Sequence, residues 1–399
     1  MEFRRPQGEK GNGRDMLEEF TDVQKMLRQT MRTFVEKEVA PLAYEIDRDE
    51  RFPSESIRRL TEMGLMGITA PVEYGGAGAG YTEMCIVTEE LAVGCLSTSA
   101  SWGAHATLCV DNIRRNATDR QKKKYLPPLC GGEKIGGLAM TEPSAGSDVM
   151  SMKLRAEEKG DSYLLNGSKI FISNGPVGDV FVVYAKTDPE ERAHGISAFI
   201  VEASFPGFFK GKRYEKMGWR GSQTGELVFE DCPVPRENLL GEKNKGSLVL
   251  MSGLNTERVC MGSQALGIAR GAFECALRYS RERLQFGRPI ASFQLIRAKL
   301  ADMAMEIELS HLITYRGAAM ADRGLHREMN LIASYAKLYS SEMVMRVTTE
   351  AVQILGGYGY MREFPVERMM RDAKLMAIGG GTSEVQRLII AREILEKKH

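Results

Sequence analysis

The spacing of apolar residues changes character twice along this chain, and that double change limits the folds open to it. Between residues 22 and 39, Val23, Met26, Leu27, Met31, Phe34 and Val35 fall on one helical face. A second helix follows Pro53, with Ser54 placed to cap it, and another spans about 82–93. Helical sequence then reaches Leu126, where Pro127-Pro128 and Gly131-Gly132 break it. The middle third holds short β-rich runs at 163–165, 181–184, 196–201 and 226–229, punctuated by Asn166-Gly167 and Asn174-Gly175-Pro176. Long helical segments return at about 246–281, 290–323, 327–356 and 380–396. Helices, then strands, then helices define an α+β class and not a βαβ alternation. The expected parts are an N-terminal helical domain (1–135), a middle antiparallel β domain (136–245) and a C-terminal four-helix bundle (246–399).

Several function classes fall away on composition. A formal net charge of +1 over 399 residues argues against nucleic acid, which demands a basic excess or stripe. No apolar run approaches the ~20 residues of a membrane span. Residues 1–15 are rich in charge, Gly and Pro, as expected of a loose tail on a cytoplasmic protein. The seven cysteines are scattered and never spaced C-x-x-C, so they are expected to be buried, inert thiols. The five histidines show no metal-binding spacing, and no metal is expected. The Gly-rich stretch at 73–80 matches no dinucleotide or phosphate-loop pattern and reads as a surface loop.

Chemistry concentrates in five segments: MTEPSAGSD (140–148), FISNG (171–175), RERLQFG (281–287), QILGGYGY (353–360), and RDAK (371–374) followed by GGGTSE (379–384). The first offers hydroxyls and small-residue N–H groups that could hold a conjugated ring and a thioester arm. Arg283 supplies a fixed cation suited to a pyrophosphate. Gly356 and Gly357 let backbone approach phosphates closely. Thr382 can cap the last helix, whose free N–H groups favour an anion. In this order and spacing the segments resemble the acyl-CoA dehydrogenase family, over about residues 20–395. The resemblance implies FAD as cofactor, acyl-CoA as substrate and an electron transfer flavoprotein as partner. It places Leu138, Thr141, Gly146, Ser147, Phe171, Ile172 and Ser173 against the flavin, with Ser147 also near the substrate. Arg283, Gln294, Gln353, Gly356 and Gly357 then complete the FAD site of a neighbouring subunit, which implies a homo-oligomer, a tetramer built as a dimer of dimers. Thr382, Ser383 and Glu384 join the cofactor set.

One departure decides the mechanism. Most family members carry the base for the substrate α proton as a glutamate just before the Gly-Thr-Ser of the last motif, where this chain has Gly380. Glu257, in LNTER (254–258), matches the position used by the isovaleryl-CoA dehydrogenase-like branch and by one long-chain branch, which have a small residue at the other site. Acid gained at 257 and absent at 380 make one swap, and Glu257 is the expected base. Burial beside an acyl chain should raise its pKa. The Gly380 N–H can still polarise the thioester oxygen. Asn255 and Arg258 are expected at the pantetheine arm, Gly380 and Gly381 beside the reacting carbons. Trp102 is expected to floor the acyl pocket, and Gly379–Gly381 to leave room for short, branched or ring-bearing chains. A carboxylate returned to position 380 in a chain lacking Glu257 should recover part of the rate. Two other readings share the motifs: a flavin acyl-CoA oxidase on the same fold, and a catalytically silent FAD- or CoA-binding scaffold, against which Glu257 argues.

Overall fold

A computed structural model describes residues 20–326 and 328–396, so the tail expected at 1–15 lies outside the described residues. The N-terminal part is helical: α1 (Asp22–Phe34), α2 (Ala43–Arg48), α3 (Ser54–Glu62), α4 (Tyr81–Gly94), α5 (Leu96–Gly103), α6 (Asp111–Asn116) and α7 (Asp119–Cys130). Thr21 opens α1 through a capping box, its hydroxyl accepting from Gln24 N (3.2 Å) while Gln24 Oε1 accepts from Thr21 N (2.9 Å). Ser54 is no cap: α3 starts on it, and Pro53 precedes it without a side-chain bond. Pro127 and Pro128 do not end their helix either. They lie in the last turn of α7, where their carbonyl side still serves, and Gly131 N closes on Pro127 O at 2.9 Å.

The middle part is one sheet of β1 (Gly136–Ala139), β2 (Arg155–Lys159), β3 (Ser162–Ser173), β4 (Val180–Lys186), β5 (Ile196–Glu202), β6 (Phe208–Arg213), β7 (Thr224–Pro235) and β8 (Leu239–Leu240). Its order is β6-β7-β3-β2-β4-β5-β8, with β1 added on β4. The sheet is mixed, which corrects the antiparallel expectation: β1 and β2 both pair with β4 in parallel. The reason lies in β4, buried along its whole length. A strand covered on both faces suits parallel neighbours, and its unbroken apolar run does not display a direction. Val180, Val182 and Tyr184 pack against Cys109, Val110 and Ile113 of the helices. Phe181, Val183 and Ala185 face the other way, onto Leu165 and Phe199.

The C-terminal part is α8 (Gly246–Glu282), a small hairpin of β9 (Leu284–Gln285) and β10 (Arg288–Pro289), then α9 (Gln294–Asp322), α10 (Asn330–Leu355), α11 (Pro365–Ala373) and α12 (Ser383–Glu396). Three long helices and the shorter α12 make the expected bundle, and α11 is an addition. α4, buried on nearly every side, is the shared wall between the two helical parts. A β-carbon on Gly267 of α8 would stand 2.2 Å from Glu89 O, so only glycine lets α8 come this close to α4. The RDAK segment clasps all three parts. Arg371 pairs with Asp47 of α2 (2.7 Å) and donates to Met217 O (2.9 Å), while Asp372 accepts from Trp219 N (2.6 Å). Burial pushes the Asp372 carboxyl up to about 6. All seven cysteines are free and buried. Among the described residues no helix is long and apolar enough to cross a membrane.

Candidate active site

The first two motifs meet at one end of the sheet. Ile170 N donates to Thr141 O (2.9 Å), which lays the 141–148 loop beside the end of β3. Glu142 anchors that loop from inside, accepting from Leu154 N (3.0 Å) and from the buried Lys169 Nζ (2.8 Å). Leu138 and Thr141 are left half-buried, Gly146 and Ser147 exposed. Asn174 sits in the left-handed region (φ 60°) and its Nδ2 donates to Ser101 O (2.9 Å) and Gly136 O (3.0 Å). Those bonds fix the turn that carries Phe171, also left-handed (φ 59°) and 61% exposed. An aromatic held in this conformation and open to water is a strained arrangement of the kind that collects at binding sites. Ser173 is half-buried beside it, and Ile172 turns its side chain into the sheet core, leaving its main chain for contact.

A second site forms at the end of the bundle. Arg283, Gln285, Gly356, Gly357, Tyr279 and Tyr358 line a cleft of about 540 Å³. The Arg283 guanidinium lies 5.4 Å over the Tyr358 ring, which fixes its direction. Gly356 has φ 61°, and a β-carbon on Gly356 or Gly357 would meet nothing within 4 Å. Backbone and cation therefore form an open cradle for a phosphate-bearing group. Gln353 is exposed one turn earlier, and Gln294 is exposed at the start of α9 without lining the cleft. No residue of 141–148 or 171–173 lines it.

The third site joins α8 to the entrance of α12. Glu257 Oε1 lies 3.8 Å from where a β-carbon on Gly380 would be. Burial pushes the Glu257 carboxyl above its ordinary value, against the opposing pull of Arg258, Arg115 and Lys337. Gly380 (φ 61°) and Gly381 (φ 86°) are both left-handed. Gln386 of α12 holds that turn, donating from Nε2 to the carbonyls of Gly380 and Gly381 (3.3 Å each). The Thr382 hydroxyl caps α12 by accepting from Val385 N (3.2 Å). Ser383 is buried and Glu384 exposed at the same helix end.

Two expectations need correction, on Trp102 and on the room beside Gly380. Trp102 is fully buried with its Nε1 donating to Leu65 O (3.0 Å), so it belongs to the core and not to a pocket wall. Arg258, 6% exposed, donates to Asn255 Oδ1 (2.9 Å) and Asn330 Oδ1 (3.0 Å), while Asn255 Nδ2 donates to His326 O (3.0 Å). As placed, both residues brace α8 against its neighbours. The room expected beside Gly380 is filled: Met261 Sδ lies 2.2 Å from that hypothetical β-carbon. Met261 went unnoticed in the sequence, although it stands one helical turn beyond Glu257, on the same face.

The acyl-CoA dehydrogenase N-terminal, middle and C-terminal domains match residues 21–133, 137–232 and 244–395. The chain is 46% identical to isovaleryl-CoA dehydrogenase, mitochondrial, of Pongo abelii over 384 residues, covering 95% of this chain and 90% of that one. It is 47% identical to a short-chain specific acyl-CoA dehydrogenase of Clostridium acetobutylicum over 374 residues, covering 94% and 98%. A solved glutaryl-coenzyme A dehydrogenase in complex with glutaryl-CoA superposes with a TM-score of 0.92 at 38% identity, covering 95% and 97%. The chain belongs to the acyl-CoA dehydrogenase family, whose members depend on FAD. The exposed Phe171 and the open Arg283–Gly356–Gly357 cradle fit that cofactor's flat ring and its pyrophosphate.

Proposed function

We propose that this protein removes two hydrogens from the α and β carbons of a short, branched or ring-bearing acyl-CoA, of isovaleryl size, to give the 2-enoyl-CoA. The observation that carries the reading of the base is the apposition of Glu257 and Gly380, while the acyl size rests on the likeness to isovaleryl-CoA dehydrogenase. Glu257 takes the α proton. Its half-buried carboxyl, held above its ordinary value by desolvation, is a stronger base than an exposed glutamate. The Gly380 N–H offers a donor to the thioester oxygen, stabilising the charge that develops as the proton leaves. The 141–148 and 171–173 segments hold the flavin ring, with Phe171 against it, and the Arg283 cleft holds the pyrophosphate end. Bound FAD supplies the acceptor for the hydride that leaves the β carbon. Because the two halves of the FAD site do not share one cleft, a second copy completes it, and a tetramer built as a dimer of dimers supplies that copy. Electrons then pass to an electron transfer flavoprotein. Seven unpaired thiols suit the cytoplasm.

The test is anaerobic addition of an acyl-CoA panel to the FAD-loaded protein. Bleaching is fastest with isovaleryl-sized chains, slower with palmitoyl-CoA and glutaryl-CoA. Persistent bleaching in air supports the dehydrogenase, rapid recolouring identifies an oxidase, and no bleaching with any substrate overturns both. Light scattering of an active monomer would contradict the assembly.

A further inference from the structure

We infer that Lys337 is a positioning residue for Glu257: a buried ammonium on α10 whose charge holds the base in its anionic form once substrate has displaced water. The inference rests on the reading of Glu257 as the base.

Lys337 is fully buried, yet its Nζ has no hydrogen-bond partner. An unpaired buried cation is costly, so a chain that carries one in its core is poorly explained by stability alone. Its place is informative. α10 approaches α8 at Gly262, where a β-carbon would lie 3.5 Å from Ala336 O, the residue before Lys337. Met261, the residue before Gly262, reaches Gly380, and so does Glu257. Lys337 therefore belongs to the helix that packs against the stretch of α8 carrying Glu257 and Met261.

The surrounding charges leave it a distinct role. Glu257 feels Arg258 on its own helix, Arg115 on α6 and Lys337 on α10, and Tyr184 on β4 and Cys260 on α8 sense it in turn. Arg115 is paired with Asp111 (2.8 Å), and Arg258 is tied to Asn255 and Asn330. Lys337 feels Arg258, Glu257, Glu384 and Glu342. Glu342 is paired with Arg387 (2.7 Å) and Glu384 is exposed. Glu257 makes no salt bridge among the described residues, so the half-buried carboxylate and the buried, unpartnered ammonium each lie within the other's electrostatic reach. Burial pushes the Lys337 ammonium down to about 8, which leaves it mostly charged at neutral pH.

The experiment uses FAD-loaded Lys337→Met and Lys337→Gln, with Glu257→Gln in parallel, and reads the flavin-reduction rate from pH 5.5 to 9.5. Removing the cation takes away an attraction for the carboxylate, so the acid limb of the profile moves up by about one pH unit. The rate falls about tenfold at pH 6, converges with the parent near pH 9, and leaves the acyl-CoA KM unchanged. Thermal stability at pH 7 is equal to the parent or higher, because the lost group was an unsatisfied charge. An unmoved acid limb in both variants, with their yellow colour intact, overturns the inference. So does a loss of stability with the pH profile unchanged, the signature of a packing residue. If neither variant folds with FAD, the same limb is read in Lys337→Arg, which keeps the charge and must keep the parent's profile. A shifted limb there overturns the inference. Glu257→Gln reducing at the parent rate defeats the base reading itself. Glu257→Gln inactive beside an unshifted Lys337→Met defeats the Lys337 role alone.

Discussion

Glu257 and Gly380 face each other between α8 and α12, the carboxylate Oε1 3.8 Å from the point where a side chain at 380 would begin. Positions 123 residues apart in sequence (380 − 257) thus serve one spot, which explains how an acid can leave one of them and appear at the other. Glu257→Gln is therefore expected to keep the fold, the yellow colour and acyl-CoA binding while flavin reduction falls at least ~10²-fold. Stopped-flow reduction under nitrogen measures it, and a parental rate would remove Glu257 from the mechanism.

Restoring the carboxylate from the other side is harder than the sequence suggests. Gly380→Glu in the Glu257→Gln background must adopt φ 61° and push Met261 Sδ out of its way. The left-handed backbone alone costs a non-glycine residue about 1 kcal/mol. The double variant is expected to be less stable than Glu257→Gln and to recover little rate while Met261 is present. Trimming Met261 to Ala in the same chain should raise the recovery, read as bleaching rate with a straight-chain substrate.

Stability should depend on pH through the same carboxyl. Its folded pKa is raised, so folding favours the protonated form. The contribution of this carboxyl to stability is then fully present below the ordinary 4.5 and is lost as pH rises through the folded pKa. Glu257→Gln carries no such charge. Its urea midpoint is expected to exceed the parent's at pH 7 and to converge on it near pH 4. Parallel curves at every pH would mean the carboxyl is not held above its ordinary value.

Much of this is legible in the sequence. Helical spacing at both ends and turn-bounded strands between them carry the α+β class, because each period reports which face is buried. The short β1 was not readable: Gly136–Ala139 has neither alternation nor length, and its parallel place on β4 is a tertiary fact. Pro127 and Pro128 misled for the opposite reason, since a strong local breaker is tolerated in a last helical turn. The Glu257–Gly380 swap was legible as a pattern, but not that Met261 fills the gap. Trp102 misled because an aromatic near a site motif looks like a wall, whereas its N–H needed a buried acceptor and found Leu65 O.

The cleft under Arg283 predicts a separable effect on cofactor retention. Gly356→Ala adds a methyl that meets no atom within 4 Å, so no clash is involved, but φ 61° becomes strained. The strain should cost ~1–3 kcal/mol of folding stability, while the methyl, which meets no protein atom, projects into the cleft and should weaken FAD retention on gel filtration. Arg283→Lys should also weaken retention, because an ammonium cannot offer a forked pair of donors. FAD content equal to the parent in both would remove this cleft from the cofactor site.

Asn174 should matter at the other end of the cofactor without touching it. Asn174→Ala loses two buried hydrogen bonds, to Ser101 O and Gly136 O, and a side chain suited to the left-handed turn. Each orphaned carbonyl costs ~1–3 kcal/mol, so the thermal midpoint should fall by several degrees. Phe171 would lose its fixed direction, and the flavin absorption bands should broaden. An unchanged spectrum together with lowered stability would confine Asn174 to holding the fold.

Met261 gives the sharpest prediction about substrate choice. Its thioether occupies the space that Gly380 leaves, and its Cε lies 3.7 Å from the β-carbon position of Gly379. Methionine is flexible and polarisable, so an acyl pocket bounded by Met261 would have an adjustable wall. Met261→Ala should open the pocket beside the reacting carbons. kcat/KM is then expected to rise for ring-bearing chains relative to isovaleryl-CoA, by up to the ~10–200-fold that one or two methylenes of pocket space can discriminate. Met261→Phe should do the reverse and leave the smallest straight chains preferred. Both changes leave Glu257 in place, so flavin reduction by the favoured substrate of each variant should stay within about tenfold of the parent. Ratios unchanged across the acyl panel in both variants would show that Met261 packs behind the pocket and takes no part in its wall.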